Sequence, residues 1–208
     1  MQEDSVRSPL TNVDIAYLID LAIGEPPQPF TLLVDTGSST TWVPAAGCDE
    51  LCGNPQHMMN PSLSDSFNAT KLLMKIKYGE GFSSGMIAQD TFTVRNTTIN
   101  QVYFSVSMVN DGELTDVGAD GILGLGPDIL SKYDNPESLV LPTLVTSMTD
   151  QGLIAKNMFS IYFHPPAQAQ APWETRIDGD LVFGGSKCYL TSIARYKQPF
   201  FFFSLAVN

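Results

Sequence analysis

The sequence is short of positive charge. Of its 208 residues only 11 are Lys or Arg, against 22 Asp or Glu, which leaves a formal net charge of −11 at pH 7. So few cations could not neutralise a run of phosphates, which argues against nucleic-acid binding. The same shortage argues against docking on anionic membranes. Histidine is scarce as well, with His57 and His164 the only two. There is no His-Glu-x-x-His zinc motif and no Gly-x-Ser-x-Gly nucleophile elbow. Gly124-Leu125-Gly126 runs on into Pro127-Asp128-Ile129 and is no phosphate loop. No stretch approaches the roughly 18 apolar residues of a membrane-spanning helix. The opening Met1-Gln2-Glu3-Asp4-Ser5 lacks the basic and apolar regions of a secretory leader. Either a leader has been removed or the chain is a piece of something longer. What is present is apolar material for a core: 43% of residues are hydrophobic, too many for a disordered tail. The length suits one large domain or two small ones.

Cysteine is sparse, at three residues. Cys48 and Cys52 share one loop, and their spacing suits either a small disulfide or part of a metal site. A zinc site needs about four ligands, and the only histidine nearby is His57. Cys188 is left over and reads as a free, partly buried thiol. Two Asn-x-Thr sequons, at Asn68 and Asn96, lean toward a secretory route.

Short apolar runs recur between turn residues: Tyr17–Ile23, Phe30–Val34, Met74–Tyr78, Phe92–Val94, Val102–Val109, Gly121–Leu125, Phe159–Phe163 and Leu181–Phe183. Many are rich in Val, Ile, Phe and Tyr, the pattern of a mainly β protein with many short strands. One helix is expected over 142–151, with Pro142 at its first position and a stop before Gly152. The Pro- and Ala-rich segment 164–173 reads as an exposed loop between two strands.

The segment that carries chemistry is Phe30-Thr31-Leu32-Leu33-Val34-Asp35-Thr36-Gly37-Ser38-Ser39-Thr40-Thr41-Trp42. An apolar strand runs directly into a carboxylate, which is unfavourable unless that group is hydrogen-bonded or used. Gly37, with no Cβ, lets a backbone N–H approach the carboxylate closely. The hydroxyls of Thr36 and Ser38 are near enough to donate. Asp-Thr-Gly alone would also suit an ordinary Asx turn. The apolar run before it and the Ser-Ser-x-x-Trp after it favour a carboxylate held for use.

With these residues the sequence resembles the pepsin-like aspartic endopeptidases over nearly its whole length. Tyr17–Pro26 looks like the family's first strand with its Gly-x-Pro turn, and Leu33–Trp42 like its first active-site loop. Tyr78-Gly79-Glu80-Gly81 looks like the flap hairpin, Ala119–Gly126 like the strand beside the active-site loop, and Gly179–Gly185 like a later hairpin of the same lobe. The wording is most similar to fungal secreted acid proteases of the polyporopepsin type. The resemblance implies a mainly β, double-psi barrel-like lobe, one half of a bilobal enzyme, with one or two short helices. Residues 1–16 would be an N-terminal extension and 17–208 the amino-terminal lobe.

It also implies roles. Asp35 would be one of two carboxylates that share a proton and activate a water against the peptide carbonyl. Ser38 would hydrogen-bond Asp35, and Gly37 would bring the loop backbone to it. Thr36 would reach across to the partner lobe. Tyr78 would close over substrate with its hydroxyl near the indole N–H of Trp42, while Gly79 and Glu80 offer backbone groups to the peptide. Leu33, Ile122 and the Tyr78 ring would wall the S1 pocket. Cys48 and Cys52 sit where the family carries a short disulfide loop. No cofactor or metal is implied. The substrate would be a polypeptide and the compartment secreted or vacuolar.

Two departures stand out. Glu80 occupies a flap-tip position where the family more often has a small hydroxylated residue, so a basic P1 side chain is expected to be favoured. No second Asp-Thr-Gly or Asp-Ser-Gly is present: Asp120-Gly121 and Asp178-Gly179 both lack the hydroxyl residue. The expected partner is therefore a missing carboxy-terminal lobe, and the chain reads as a fragment of the enzyme. The alternatives are a half-enzyme that pairs with itself, so that two copies of Asp35 form the dyad, and an inactive lobe that binds peptide.

Overall fold

The computed structural model describes residues 5–13, 16–79, 81–163, 176–185 and 202–206. Eleven strands appear among them: β1 (Val6–Asn12), β2 (Tyr17–Ile23), β3 (Gln28–Asp35), β4 (Trp42–Pro44), β5 (Asn68–Lys77), β6 (Phe82–Val94), β7 (Thr97–Asn110), β8 (Gly121–Gly124), β9 (Met158–Phe163), β10 (Arg176–Phe183) and β11 (Phe202–Ala206). They form one sheet in the order β11-β9-β10-β1-β2-β3-β8-β4-β7-β6-β5. A further pairing of β2 with β6, at Ala22↔Thr93 and Ile23↔Phe92, bends the sheet round on itself. The strands between those two, β2-β3-β8-β4-β7-β6, thus close into a six-stranded barrel. The remaining strands extend from it, with β5 projecting as one arm of the β5–β6 hairpin and β1-β10-β9-β11 forming a flank.

Alternation explains most of the barrel. In β2 the buried residues Ile19, Leu21 and Ile23 alternate with the exposed Asp20 and the half-buried Ala22. Leu10, Ile19, Phe30, Leu32, Val43, Phe92, Phe104 and Leu123 meet inside, each 0–1% exposed. Burying such side chains contributes about 1.5–3 kcal/mol apiece before entropy is counted. A second, smaller cluster lies toward the hairpin. It joins Trp42, Met74, Ile76, Ile87 and Ile122, with Leu33, Tyr78 and Leu114 packed against it.

Several elements differ from the sequence expectation. The segment before Tyr17, expected to be an extension, contains β1. It pairs with β10 from Val6↔Phe183 to Asn12↔Arg176 and with β2 at its end. Its alternation is hidden because the buried positions are held by Ser8 and Leu10, at 1% and 0% exposure. β6 is far longer than the run Phe92–Val94, because the stretch before that run buries Ser83 and Asp90, polar residues that a hydrophobic pattern passes over. Register shifts at Ser84/Gly85 and Asp90/Phe92 let so long a strand follow the barrel's curvature. The helix, α1 (Leu144–Asp150), begins later than expected: Thr143 is its N-cap, and Pro142 lies ahead of the cap. Short 3₁₀ segments at Asp49–Cys52, Pro61–Leu63, Glu113–Val117 and Asp128–Tyr133 complete the helical content of the described residues. The loop 164–173, Glu80 and Cys188 fall outside the described residues.

Candidate active site

Asp35 ends β3, and β3 runs parallel to β8 in the register Leu33↔Ile122, Asp35↔Gly124. The chain can turn sharply after Asp35 because β8 offers glycine there. A Cβ on Gly124 would lie 2.5 Å from the carbonyl carbon of Ser39 and 2.7 Å from the backbone nitrogen of Thr40. The turn is fixed by backbone bonds, Leu125 N–H to the Asp35 carbonyl at 2.7 Å and Gly126 N–H to the Ser38 carbonyl at 2.8 Å. Within it the carboxylate is bound at both oxygens. The Gly37 N–H donates to Oδ1 at 2.7 Å and the Ser38 hydroxyl to Oδ2 at 2.6 Å. A side chain at Gly37 would crowd Oδ1, its Cβ falling 3.2 Å away. Both bonds fix the orientation of the carboxylate. Ser38 is buried, whereas Thr36 and Gly37 are exposed at the rim.

The β5–β6 hairpin brings a second group to the same place. Its turn holds Tyr78, whose N–H donates to the Gly81 carbonyl at 3.0 Å. The indole N–H of Trp42 donates to the Tyr78 hydroxyl at 2.8 Å. Trp42 is itself 2% exposed and pairs with Ile122 across β4 and β8. The phenol of Tyr78 is held well above the ordinary tyrosine range. Burial is the main cause. The nearby Asp35 and Asp134 carboxylates push the same way, while hydrogen bonds from Trp42 and Ser38 oppose them. Tyr78 is therefore a neutral hydroxyl at any working pH.

A cleft of about 250 Å³ opens between hairpin and barrel. Leu33, Asp35, Trp42, Tyr78 and Ile122 line it together with Phe82, Asp111, Glu113 and Leu114. Five residues singled out in the sequence thus come together, and four were missed. Phe82 opens the returning strand of the hairpin, and the other three belong to the turn after β7. The only sequence signal for them was the turn composition Asn110-Asp111-Gly112, which does not say what the turn faces. Gly79 is exposed on the hairpin. Asn68 and Asn96 are exposed away from the cleft lining. Cys48 and Cys52 are joined as a disulfide with Cα atoms 5.5 Å apart. Among the described residues no group of three or more His, Cys, Asp or Glu is placed to hold a metal ion. No helix among them is long and apolar enough to cross a membrane.

Behind the site, Asp120 is 4% exposed and binds three nitrogens at 2.9 Å: the Thr31 N–H, the His57 N–H and the His57 Nδ1. It braces β3 and the 57 loop against the start of β8. Asp120-Gly121, weighed in the sequence as a possible second catalytic motif, is thus a buried structural carboxylate.

A closed barrel with a carboxylate on a Gly-Ser turn and a tyrosine hairpin beside it defines a recognisable class. The family model described as eukaryotic aspartyl protease matches residues 16–192, and the chain belongs to that family. It is 35% identical over 159 residues to embryonic pepsinogen of Gallus gallus, covering 76% of this chain and 40% of that protein. It is 35% identical over 192 residues to chymosin of Callithrix jacchus, covering 91% and 49%. The crystal structure of an aspartic proteinase from Irpex lacteus superposes with a TM-score of 0.74 at 28% identity, over 94% of this chain and 51% of that one. The chain spans about half the length of the relatives it matches.

Proposed function

We propose that this chain is the amino-terminal lobe of an acid endopeptidase that hydrolyses peptide bonds between bulky apolar residues. The observation that carries the reading is Asp35, bound at both oxygens on the floor of a cleft that Tyr78 and Trp42 also line. Asp35 supplies one of two carboxylates. Like charges a few ångströms apart cannot both ionise, so the pair holds one proton and one negative charge. The ionised member takes a proton from water as its oxygen bonds to the peptide carbonyl carbon. The protonated member gives its proton to the carbonyl oxygen. Collapse of the tetrahedral intermediate breaks the C–N bond: the carboxyl that took the water proton gives it to the leaving nitrogen, and a hydroxyl of the gem-diol returns a proton to the other carboxylate. The Gly37 and Ser38 bonds hold the Asp35 carboxyl in place during these transfers. Leu33, Ile122, Leu114 and Phe82 give the substrate side chain an apolar wall. The second carboxylate comes from a carboxy-terminal lobe against which the exposed Thr36 would pack. The reaction needs no cofactor. The disulfide and the two exposed sequons favour a secreted or vacuolar route.

The test is a peptidase assay at acid pH, coupled to sedimentation. The chain alone is expected to be inactive on an apolar peptide, and the same chain fused in frame to a family carboxy-terminal lobe carrying Asp-Thr-Gly to be active. Asp35→Asn should reduce the fusion's kcat at least about 10³-fold, the scale of losing a principal catalytic group. Activity that survives Asp35→Asn would overturn the reading. An active dimer of the chain alone, abolished by the same substitution, would replace it with the self-paired dyad.

A further inference from the structure

The carboxylate of Asp111 stands against the flap hairpin from outside it. Its Oδ2 accepts the Phe82 N–H at 2.6 Å, at the first residue of the hairpin's returning strand. This is a short bond to an ionisable acceptor, and 29 residues separate its ends. The preceding residue is Gly81, with φ +89°, and a Cβ there would occupy the space of the Asp111 carboxylate. Positive φ and close approach both require glycine at this point. The same Gly81 accepts the Tyr78 N–H, so the carboxylate, the Gly81–Phe82 link and Tyr78 form one continuous chain of contacts.

The foot of Asp111 is fixed. Asn110 ends β7, and its Oδ1 accepts the Gly112 N–H at 2.8 Å. Gly112, at φ +77°, packs backbone to backbone on the disulfide loop: a Cβ on it would fall 2.7 Å from the Gly53 Cα. Asp111 is thus carried on a turn wedged against the segment that the Cys48–Cys52 bridge closes. The β6–β7 ladder holds the flap's returning strand as far as Ser83↔Asn110. Beyond Ser83 only the last β5–β6 pair, Lys77↔Phe82, and the turn remain, and Gly79 there is exposed. Two strands without a third are only marginally stable in water.

We propose that Asp111 is a flap latch, a positioning residue that ties the hairpin at Gly81–Phe82 to the disulfide-braced wall and so sets Tyr78 on the cleft. Its consequence for peptide binding rests on the reading of that cleft as a peptidase site. The latch itself does not, and local amide exchange tests it on the chain as it stands. In Asp111→Ala the Phe82 and Tyr78 amides should exchange at least about tenfold faster, as expected when local opening loses a bond to a charged acceptor. Amides of the barrel at Leu32 and Leu123 should keep their rates. Asp111→Asn, which retains an acceptor oxygen, should restore most of the Phe82 protection. Gly81→Ala should disturb the flap less in the Asp111→Ala background than in the wild type. Unchanged Phe82 exchange in Asp111→Ala would overturn the proposal. An equal rise at flap and barrel amides would overturn it too, since that marks a general structural role. A parallel titration with an apolar peptide bearing a central statine-type hydroxyl separates the two readings. Absence of binding by the wild type counts against the peptide cleft, while the exchange result judges the latch.

Discussion

At the residue scale, the site is built from two kinds of contact. Asp35 is held by neighbours two and three positions along the chain, so its environment is local. Trp42 and Tyr78 meet across 36 residues and depend on the whole hairpin. The indole N–H of Trp42 is buried, and Tyr78 provides its acceptor. Removing that acceptor strands a buried donor, which destabilises by about 1–3 kcal/mol. Tyr78→Phe keeps the ring and its packing, so we expect a loss in that range in urea unfolding, with the slope unchanged. A midpoint equal to the wild type would show that water replaces the hydroxyl.

At the scale of elements, β8 crosses close behind the turn that follows Asp35. Gly124 lies where any side chain would meet backbone atoms of Ser39 and Thr40, and backbone cannot move aside as a flexible side chain does. Gly124→Ala should therefore destabilise the lobe by about 1–3 kcal/mol or more. It should also loosen the turn that binds Asp35. Thermal unfolding by circular dichroism checks the first effect, and amide exchange at Gly37 the second. Gly47→Ala is the control, since nothing lies within 4 Å of its added Cβ; its positive φ of 88° accounts for whatever strain it shows.

Element boundaries also show where sequence reading succeeds. Tyr17–Ile23 is apolar but for Asp20 and matches β2 at both ends. β1 and the part of β6 before Phe92 were not visible, because serine and aspartate occupy some of their buried positions. Tertiary partners help to hold those groups inside: Ser83 donates to the Ser107 hydroxyl at 2.8 Å, and Asp90 Oδ1 accepts from Ser64 at 3.0 Å, while Asp90 Oδ2 has no partner among the described residues. A pattern of apolar residues cannot reveal a partner that lies elsewhere in the chain. The helix start moved from Pro142 to Leu144 for a related reason. The Thr143 N–H is taken by Asp128 at 2.9 Å, and this bond places Thr143 as the cap.

At the scale of the molecule, acidity is a property of both composition and burial. Asp134 is held above the ordinary carboxylate range. Burial is the main cause, and the hydrogen bond donated by Thr40 opposes it. A carboxyl whose pKa is raised in the folded state binds more protons there than in the unfolded chain. Its contribution is fully present below the unfolded value of about 3.9 and is lost as pH rises through the folded one. Stability therefore falls with rising pH on account of this group. We expect Asp134→Asn, which never ionises, to gain relative to the wild type as pH is raised from 3 to 7. Urea midpoints at both ends of that interval decide it, and a constant difference between the two proteins would sink the idea. Because the Asp134 hydrogen bond runs to Thr40 on the active-site loop, this pH response acts where the proposed chemistry is placed.

The amino-acid sequence by itself determined the local features: a mainly β chain, an acidic surface, and an Asp-Thr-Gly-Ser turn whose hydrogen bonds run between close neighbours. Such bonds need only a short segment and the right residue types, so they can be read in order along the chain. Only the tertiary structure decided what surrounds Asp35. It closed six strands into a barrel, made Asp120 a brace, and drew Phe82, Asp111, Glu113 and Leu114 to the cleft. The reason is register. Alternation says which face of a strand is buried, but which strand lies beside it, and at what offset, is set by long-range pairing that no local pattern contains.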